Sequence, residues 1–163
     1  MTSGYAAPGA LAKYLRVSPR HVKEYCVGWQ LVPNRAGRFA WADIWRVLWA
    51  VREVPAGYHD RMKEPLLDNR DIAAKLGVSE RSIQRDVTRT ASRFELPRSI
   101  ALTSRTRRHH PLLIEFWVAN VLEPQWLRAA PRPTSVGGVT WRPEFAHTPR
   151  DRGAHAASRH DRS

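Results

Sequence analysis

A twelve-residue pattern occurs twice in this chain without gaps, and it constrains the fold more than any other feature of the sequence. Leu11-Ala12-Lys13-Tyr14-Leu15-Arg16-Val17-Ser18-Pro19-Arg20-His21-Val22 aligns with Ile72-Ala73-Ala74-Lys75-Leu76-Gly77-Val78-Ser79-Glu80-Arg81-Ser82-Ile83 at an offset of 61 residues. Ala12/Ala73, Leu15/Leu76, Val17/Val78, Ser18/Ser79 and Arg20/Arg81 are identical, and Leu11/Ile72 and Val22/Ile83 are aliphatic in both copies. In each copy the apolar residues at i and i+4 (Leu11 and Leu15, Ile72 and Leu76) mark the buried face of a short helix. A turn follows, and Ser18 or Ser79 then stands where a second helix needs an N-cap. Pro19 comes next, at the first helical position, where its missing N–H costs nothing. The syntax is helix, turn, helix, written twice.

The rest of the chain is organised around these copies. Residues 32–41 read as a short hairpin with a Gly-containing turn, and an apolar helix begins at Asp43 and ends before Pro55-Ala56-Gly57. Residues 55–66 read as a linker that extends to roughly 40 Å. Asp68-Asn69-Arg70-Asp71 opens the second copy with an acidic capping box, and its second helix runs from Glu80 towards Phe94 until Leu96-Pro97 breaks it. Residues 100–103 read as a strand, 104–110 as a basic turn and 111–123 as an apolar last helix. From Arg128 onward Pro, Gly, Ser, Arg and His dominate. The expected fold class is therefore mainly α. Tandem helix–turn–helix modules occupy 1–54 and 67–127, with a short hairpin wing, the linker, and a basic, disordered tail over 128–163.

Charge narrows the partner. Lys plus Arg number 27 against 15 Asp plus Glu, a formal net charge of +12, so an anionic partner is expected, nucleic acid or an anionic membrane surface. No helix pairs a clean apolar stripe with a basic face, which disfavours the membrane surface. Arg outnumbers Lys 23 to 4, which suits bidentate contacts to phosphates and bases, although an Arg-biased genome gives the same ratio. The single Cys26 excludes an intramolecular disulfide and a multi-Cys zinc site, and reads as a small buried apolar residue. His147, His155 and His160 are too scattered for a metal site. No stretch approaches about 18 uncharged apolar residues, and Met1-Thr2-Ser3-Gly4-Tyr5 carries no basic leader. The chain is expected in the cytoplasm, associated with the nucleoid.

Leu11 to Tyr25, then Gly28-Trp29-Gln30-Leu31-Val32-Pro33, Gly37-Arg38-Phe39 and Asp43-Ile44, resemble the winged helix–turn–helix of the excisionase and MerR-type families over residues 6–53. Arg16 departs from that pattern, because the family places Gly there to satisfy a left-handed turn; Arg at such a position costs about 1 kcal/mol. The second copy keeps Gly77 in the same slot, and Asp71 to Asp86 resembles the helix–turn–helix of many bacterial regulators. The resemblance implies double-stranded DNA as the partner.

The residues that would carry such binding follow from helical geometry. After Ser18, Val22 and Tyr25 are expected to face the core, leaving Arg20, His21, Lys23 and Glu24 outward. After Ser79, Ile83 and Val87 face inward and Arg81, Ser82, Gln84, Arg85 and Arg89 outward. Arg reads guanine and Gln reads adenine bidentately, while Ser hydroxyls and helix N-termini suit phosphates. Arg35 and Arg38 at the hairpin tip are candidates for the flanking backbone or minor groove. Arg105, Arg107 and Arg108, with His109 and His110, form the densest basic cluster, which is a second wing, a phosphate clamp, or an exposed loop made basic by composition. Trp41, Trp45 and Trp49 lie at helical spacing and suit core packing better than a stacking platform. Residues 111–122 either close the second core or form a homodimer seam.

These features predict a sequence-specific duplex-DNA binder, a transcription regulator of a bacterium, phage or mobile element that reads a bipartite site. RNA polymerase is then a candidate partner. The alternatives are an excisionase-type recombination directionality factor, which bends DNA and has an integrase as partner, and a small terminase-like packaging factor. An enzyme is not expected. The chain has no Gly-rich phosphate loop, nucleophile elbow, paired carboxylates or metal-ligand spacing, so no catalytic residue, cofactor or metal is assigned.

Overall fold

A computed structural model describes residues 4–88, 93–103 and 106–128 of the chain. Over these residues the chain is mainly helical, with six α-helices and two antiparallel strand pairs. Helix α1 spans Pro8–Leu15, α2 Pro19–Gly28, α3 Trp41–Trp49, α4 Asn69–Leu76, α5 Glu80–Thr88 and α6 Pro111–Val118. Strand β1 (Tyr5–Ala6) pairs with β2 (Phe39–Ala40), and β3 (Ser99–Ala101) pairs with β4 (Arg107–His109). The expected disordered tail beyond Arg128 lies outside the described residues, as do Arg89 and Arg105.

The sequence repeat is also a backbone repeat. Helix α1 ends at Arg16, which is left-handed (φ 53°, ψ 51°), and α4 ends at Gly77 in the same conformation (φ 64°, ψ 31°). Val17 N–H donates to Ala12 O at 3.0 Å and Arg16 N–H to Lys13 O at 3.2 Å. In the second copy Val78 N–H donates to Ala73 O at 3.0 Å and Gly77 N–H to Ala74 O at 3.4 Å. This paired closure satisfies helix carbonyls that would otherwise be orphaned, and it turns the chain back within two residues. The Ser18 and Ser79 carbonyls then accept the first bonds of α2 and α5, from His21 N–H (3.0 Å) and Ser82 N–H (2.9 Å).

Several expectations are corrected. The Gly-containing turn forms: Asn34 N–H donates to Arg38 O at 2.8 Å, and Asn34 Oδ1 accepts from the amides of Ala36 and Arg38 at 3.0 Å each. The strand leaving it, however, pairs with the N-terminal segment, Tyr5 opposite Ala40 and Ala6 opposite Phe39, rather than with residues 32–34. Helix α3 starts at Trp41 rather than Asp43, and it stops at Ala50, whose φ of 54° is left-handed. Helix α5 is described to Thr88, and Phe94 is not helical.

The segment expected to be a linker is packed. Met62 and Leu66 are fully buried, Trp45 Nε1–H donates to Met62 O at 3.1 Å, and Leu66 N–H donates to Tyr14 O at 2.8 Å. Tyr58 meets Trp126 with ring centroids 4.9 Å apart. Residues 55–66 carry enough apolar surface at 58, 62 and 66 to be drawn against α3, and two 3-10 turns fold them there.

Two apolar clusters result. The larger holds Leu11, Tyr14 and Leu15 of α1, Val22 and Cys26 of α2, all three tryptophans of α3, and also Ile100, Leu112, Leu113 and Leu127. The smaller holds Ile72, Ala73, Ile83 and Ile114. The Trp series therefore serves the core, as its spacing suggests, and Cys26 is buried. Helix α6 contributes to both clusters from three consecutive residues, so its N-terminal half is core. Its expected extension to Glu123 is cut at Val118 because Asn120 is left-handed (φ 53°), leaving Val118, Val121 and Leu122 exposed. No described helix is long and apolar enough to cross a membrane.

Because α6 joins the clusters, the described residues should unfold as one unit. Ile114→Ala, at a site 1% exposed, should lower stability by about 2–5 kcal/mol. Trp fluorescence, reporting the larger cluster, and helical circular dichroism should give coincident urea transitions in this variant. Separate transitions would show that the clusters fold independently.

Candidate nucleic-acid interface

Helix α2 exposes Arg20, Lys23 and Glu24, with His21 half-buried. Its inward side chains are Val22 and Cys26, not Val22 and Tyr25: the ring of Tyr25 is half-buried and stacks on Trp29 at 5.5 Å and 20°. The 3.6-residue period explains this, since position 26 lies one full turn past 22 while 25 falls to its side. His21 is held between neighbours on its own helix. Arg20 Nε–H donates to its Nε2 at 3.2 Å, and its Nδ1 lies 3.7 Å from a Glu24 carboxylate oxygen. Ser18 occupies the N-cap with no side-chain bond to the helix, so its exposed hydroxyl points to no intrahelical partner.

Helix α5 exposes Arg81, Gln84 and Arg85 and buries Ile83, with Val87 half-buried. Ser79 Oγ accepts from Ser82 N–H at 3.2 Å and lies 2.8 Å from Ser82 Oγ, so both hydroxyls are engaged at the helix start. Asp86 was not anticipated. It is 3% exposed, and its carboxylate accepts the amides of Arg93 and Phe94, tying the chain after α5 back to the helix. Its only sequence signal was its i+3 spacing from Ile83, on the inward side. Arg35 and Arg38 are exposed on the turn before β2, as expected.

The basic cluster is largely structural. Strand β3 pairs antiparallel with β4, and Arg107 and Arg108 lie in β4 rather than in a loose basic turn. Arg107 is half-buried, with Nη1–H directed at Ser99 Oγ, 3.5 Å away. Arg108 turns away from solvent: its Nε–H donates to Leu15 O at 3.0 Å and its Nη2–H to Arg16 O at 3.1 Å. It thus caps the carbonyl end of α1, where a cation is favoured. Burial pulls its pKa below the ordinary arginine value, opposed by the nearby Asp68 carboxylate.

A second arginine completes this junction. Arg16, beside those carbonyls, donates to the Asp71 carboxylate, and its Nη2 lies 3.5 Å from Asp68 Oδ2. Asp68 and Asp71 are the reciprocal capping box of α4, each accepting the other's amide at 3.0 Å. Burial pushes the Asp68 carboxyl up, but the Asp71 amide and Arg16 outweigh it and hold the group below its usual range.

His109 and His110, read from sequence as part of the basic cluster, are buried and neutral. Burial lowers both pKa values to about 4, for His109 with help from Arg107 and Arg108. His110 is the N-cap of α6: its Nδ1 accepts from Leu112 N–H at 3.2 Å, which leaves Nε2–H to face Met62 O at 3.4 Å. Its ring stands edge-on to Trp49 at 5.3 Å. Neither ring nitrogen of His109 meets a partner among the described residues, while its backbone exchanges two 2.8 Å bonds with Leu67.

No three His, Cys, Asp or Glu side chains among the described residues are grouped to hold a metal ion. The chain matches no family model, no curated protein and no solved structure.

The two histidines set a pH dependence whose sign is fixed. Their folded pKa values lie below the unfolded value near 6.5, so the unfolded state binds more protons between about 4 and 6.5. Stability should be full above pH 6.5 and fall as pH drops through that window, by up to about 2.7 kcal/mol per pH unit when both rings contribute. Urea titrations at pH 7, 6 and 5 check this, and equal stability at all three would show that the rings gain protons freely in the fold.

Proposed function

We propose that this chain is a sequence-specific double-stranded DNA-binding protein built from tandem helix–turn–helix units, with α2 and α5 as recognition helices that read a bipartite site. One observation carries the reading. The same helix closure, left-handed residue and serine at the start of the second helix recur 61 residues apart, and each copy leads into a helix with arginine on its outer face. Arg81 and Gln84 on α5, and Arg20 and Lys23 on α2, have the donor chemistry to read purine edges in a major groove. Arg35 and Arg38, on the turn before β2, act as the wing and neutralise phosphates, while Ser18 and the start of α2 offer donors to the backbone. Arg107 belongs to β4 and adds a positive field there. A net charge of +12 supplies the sequence-independent part of the affinity. Transcription regulation is the role that fits a two-reader chain, and RNA polymerase is its candidate partner. A second copy of the chain is a further candidate, through exposed Val118, Val121 and Leu122 at the end of α6.

Binding to a selected duplex should fall steeply with salt, with a log–log slope near −5 if about six phosphates are neutralised. Arg81→Ala should relax preference at one base position by about 1–3 kcal/mol, and Arg38→Ala should weaken all duplexes alike and flatten the slope by about one. Arg108→Ala should lower stability and leave the slope unchanged, since its guanidinium is committed to α1. Equal affinity for single strands and duplex in a competition gel shift would sink the proposal.

A further inference from the structure

We infer that Arg16 is a positioning residue that holds the two helix pairs in one register, so that the chain accepts half-sites at a single spacing. The inference rests on the DNA-binding reading above for its functional consequence, but the device itself is visible in the fold.

Arg16 occupies a left-handed position that its counterpart fills with Gly77. The turn does not need the arginine side chain, because both copies close on the same two backbone bonds. The guanidinium instead reaches across 55 residues of sequence to the Asp71 carboxylate and towards Asp68, the pair that starts α4. From the other side Arg108, on β4, donates to the carbonyls of Leu15 and Arg16. The turn that launches α2 is thereby tied to the cap that launches α4 and, through it, α5.

The other links between the pairs have a different character. Leu112 and Leu113 pack in the larger cluster and Ile114 in the smaller, and apolar contact is attractive without fixing an angle. The Leu67–His109 backbone pair, with the Leu66 N–H to Tyr14 O bond beside it, acts as a pivot at the entry to α4. Charge-assisted bonds from a planar guanidinium are directional, so the Arg16 contact fixes the rotation that the pivot leaves open. With residues 55–66 packed, the two readers cannot search for each other's half-site as tethered modules. Their cooperation comes from preorganisation, which favours one geometry and penalises the rest.

Arg16→Gly is the informative variant, since glycine adopts φ 53° without strain and should keep the fold. The duplex probe is one enriched by the full chain from a randomised library, then altered by one base pair between the half-sites, a shift of about 3.4 Å with rotation. The unsubstituted chain should lose at least about tenfold in affinity, whereas Arg16→Gly should keep its in-register affinity within about threefold and lose under about threefold on the shift. A DNA-free measurement runs beside it. Spin labels at Lys23→Cys and Arg85→Cys, on a Cys26→Ala background, should give a narrow distance distribution with Arg16 present and a broad one with glycine. Equal spacing penalties, or equally narrow distributions, would overturn the role of Arg16. Failure to enrich any duplex would overturn the DNA-binding reading instead, and the label distances would still decide the lock.

Discussion

Three consecutive buried side chains on α6 hold this protein together. Leu112 and Leu113 enter the cluster built around the tryptophans of α3, and Ile114 enters the cluster between α4 and α5. Residues i, i+1 and i+2 of a helix point about 100° apart, so one short helix faces two cores only when it lies between them. That placement requires a firm start to the helix, and His110 provides it. The residue caps α6 with one ring nitrogen, turns the other towards the Met62 carbonyl, and presents its edge to Trp49. The cost is a histidine that must stay neutral.

Charge is used in two ways that the sequence does not distinguish. On α2, α5 and the turn before β2, arginines and lysine project from exposed positions. Between the end of α1 and the start of α4, Arg16 and Arg108 are spent on backbone carbonyls and on the aspartates that cap α4. Each carbonyl end of a short helix leaves acceptors unsatisfied, and each capping aspartate leaves lone pairs, so the two arginines neutralise defects that a helical chain of short elements necessarily creates. The Arg61 guanidinium ties residues 61–63 to α6 instead, reaching both oxygens of Glu115 at 2.7 and 2.6 Å.

The helix pairs were legible because their signals are local. Apolar spacing, a serine before the second helix, Pro19 and the Asp68–Asp71 box each act within one or two turns. Helix α2 begins at Pro19 and the box forms as expected, while Cys26 takes the inward place given to Tyr25 and the Ser18 hydroxyl makes no capping bond. Helix ends were less legible. Arg16, Gln30, Ala50 and Asn120 are left-handed without being glycine, so the usual stop signal was present only at Gly77 among these helix ends. Helices α3 and α6 consequently stop short of their expected ends. Strand β1 was invisible because two residues carry no period, and its pairing with β2 is a contact between distant segments.

The sequence by itself determined the two repeated units, their caps, the identity of most core residues and the basic outer faces of α2 and α5, because these depend on neighbours within a turn of helix. Tertiary structure alone decided that residues 55–66 are core rather than tether, that His109 and His110 are buried and neutral, and that Arg108 faces a helix end rather than solvent. Whether a residue is exposed depends on what covers it, and here the cover comes from segments far away in the chain: Tyr14 over Leu66, Met62 over Trp45, Leu15 over Arg108. Composition gives the sign of a charge, but only the fold decides whether that charge meets water, a partner or the protein's own backbone.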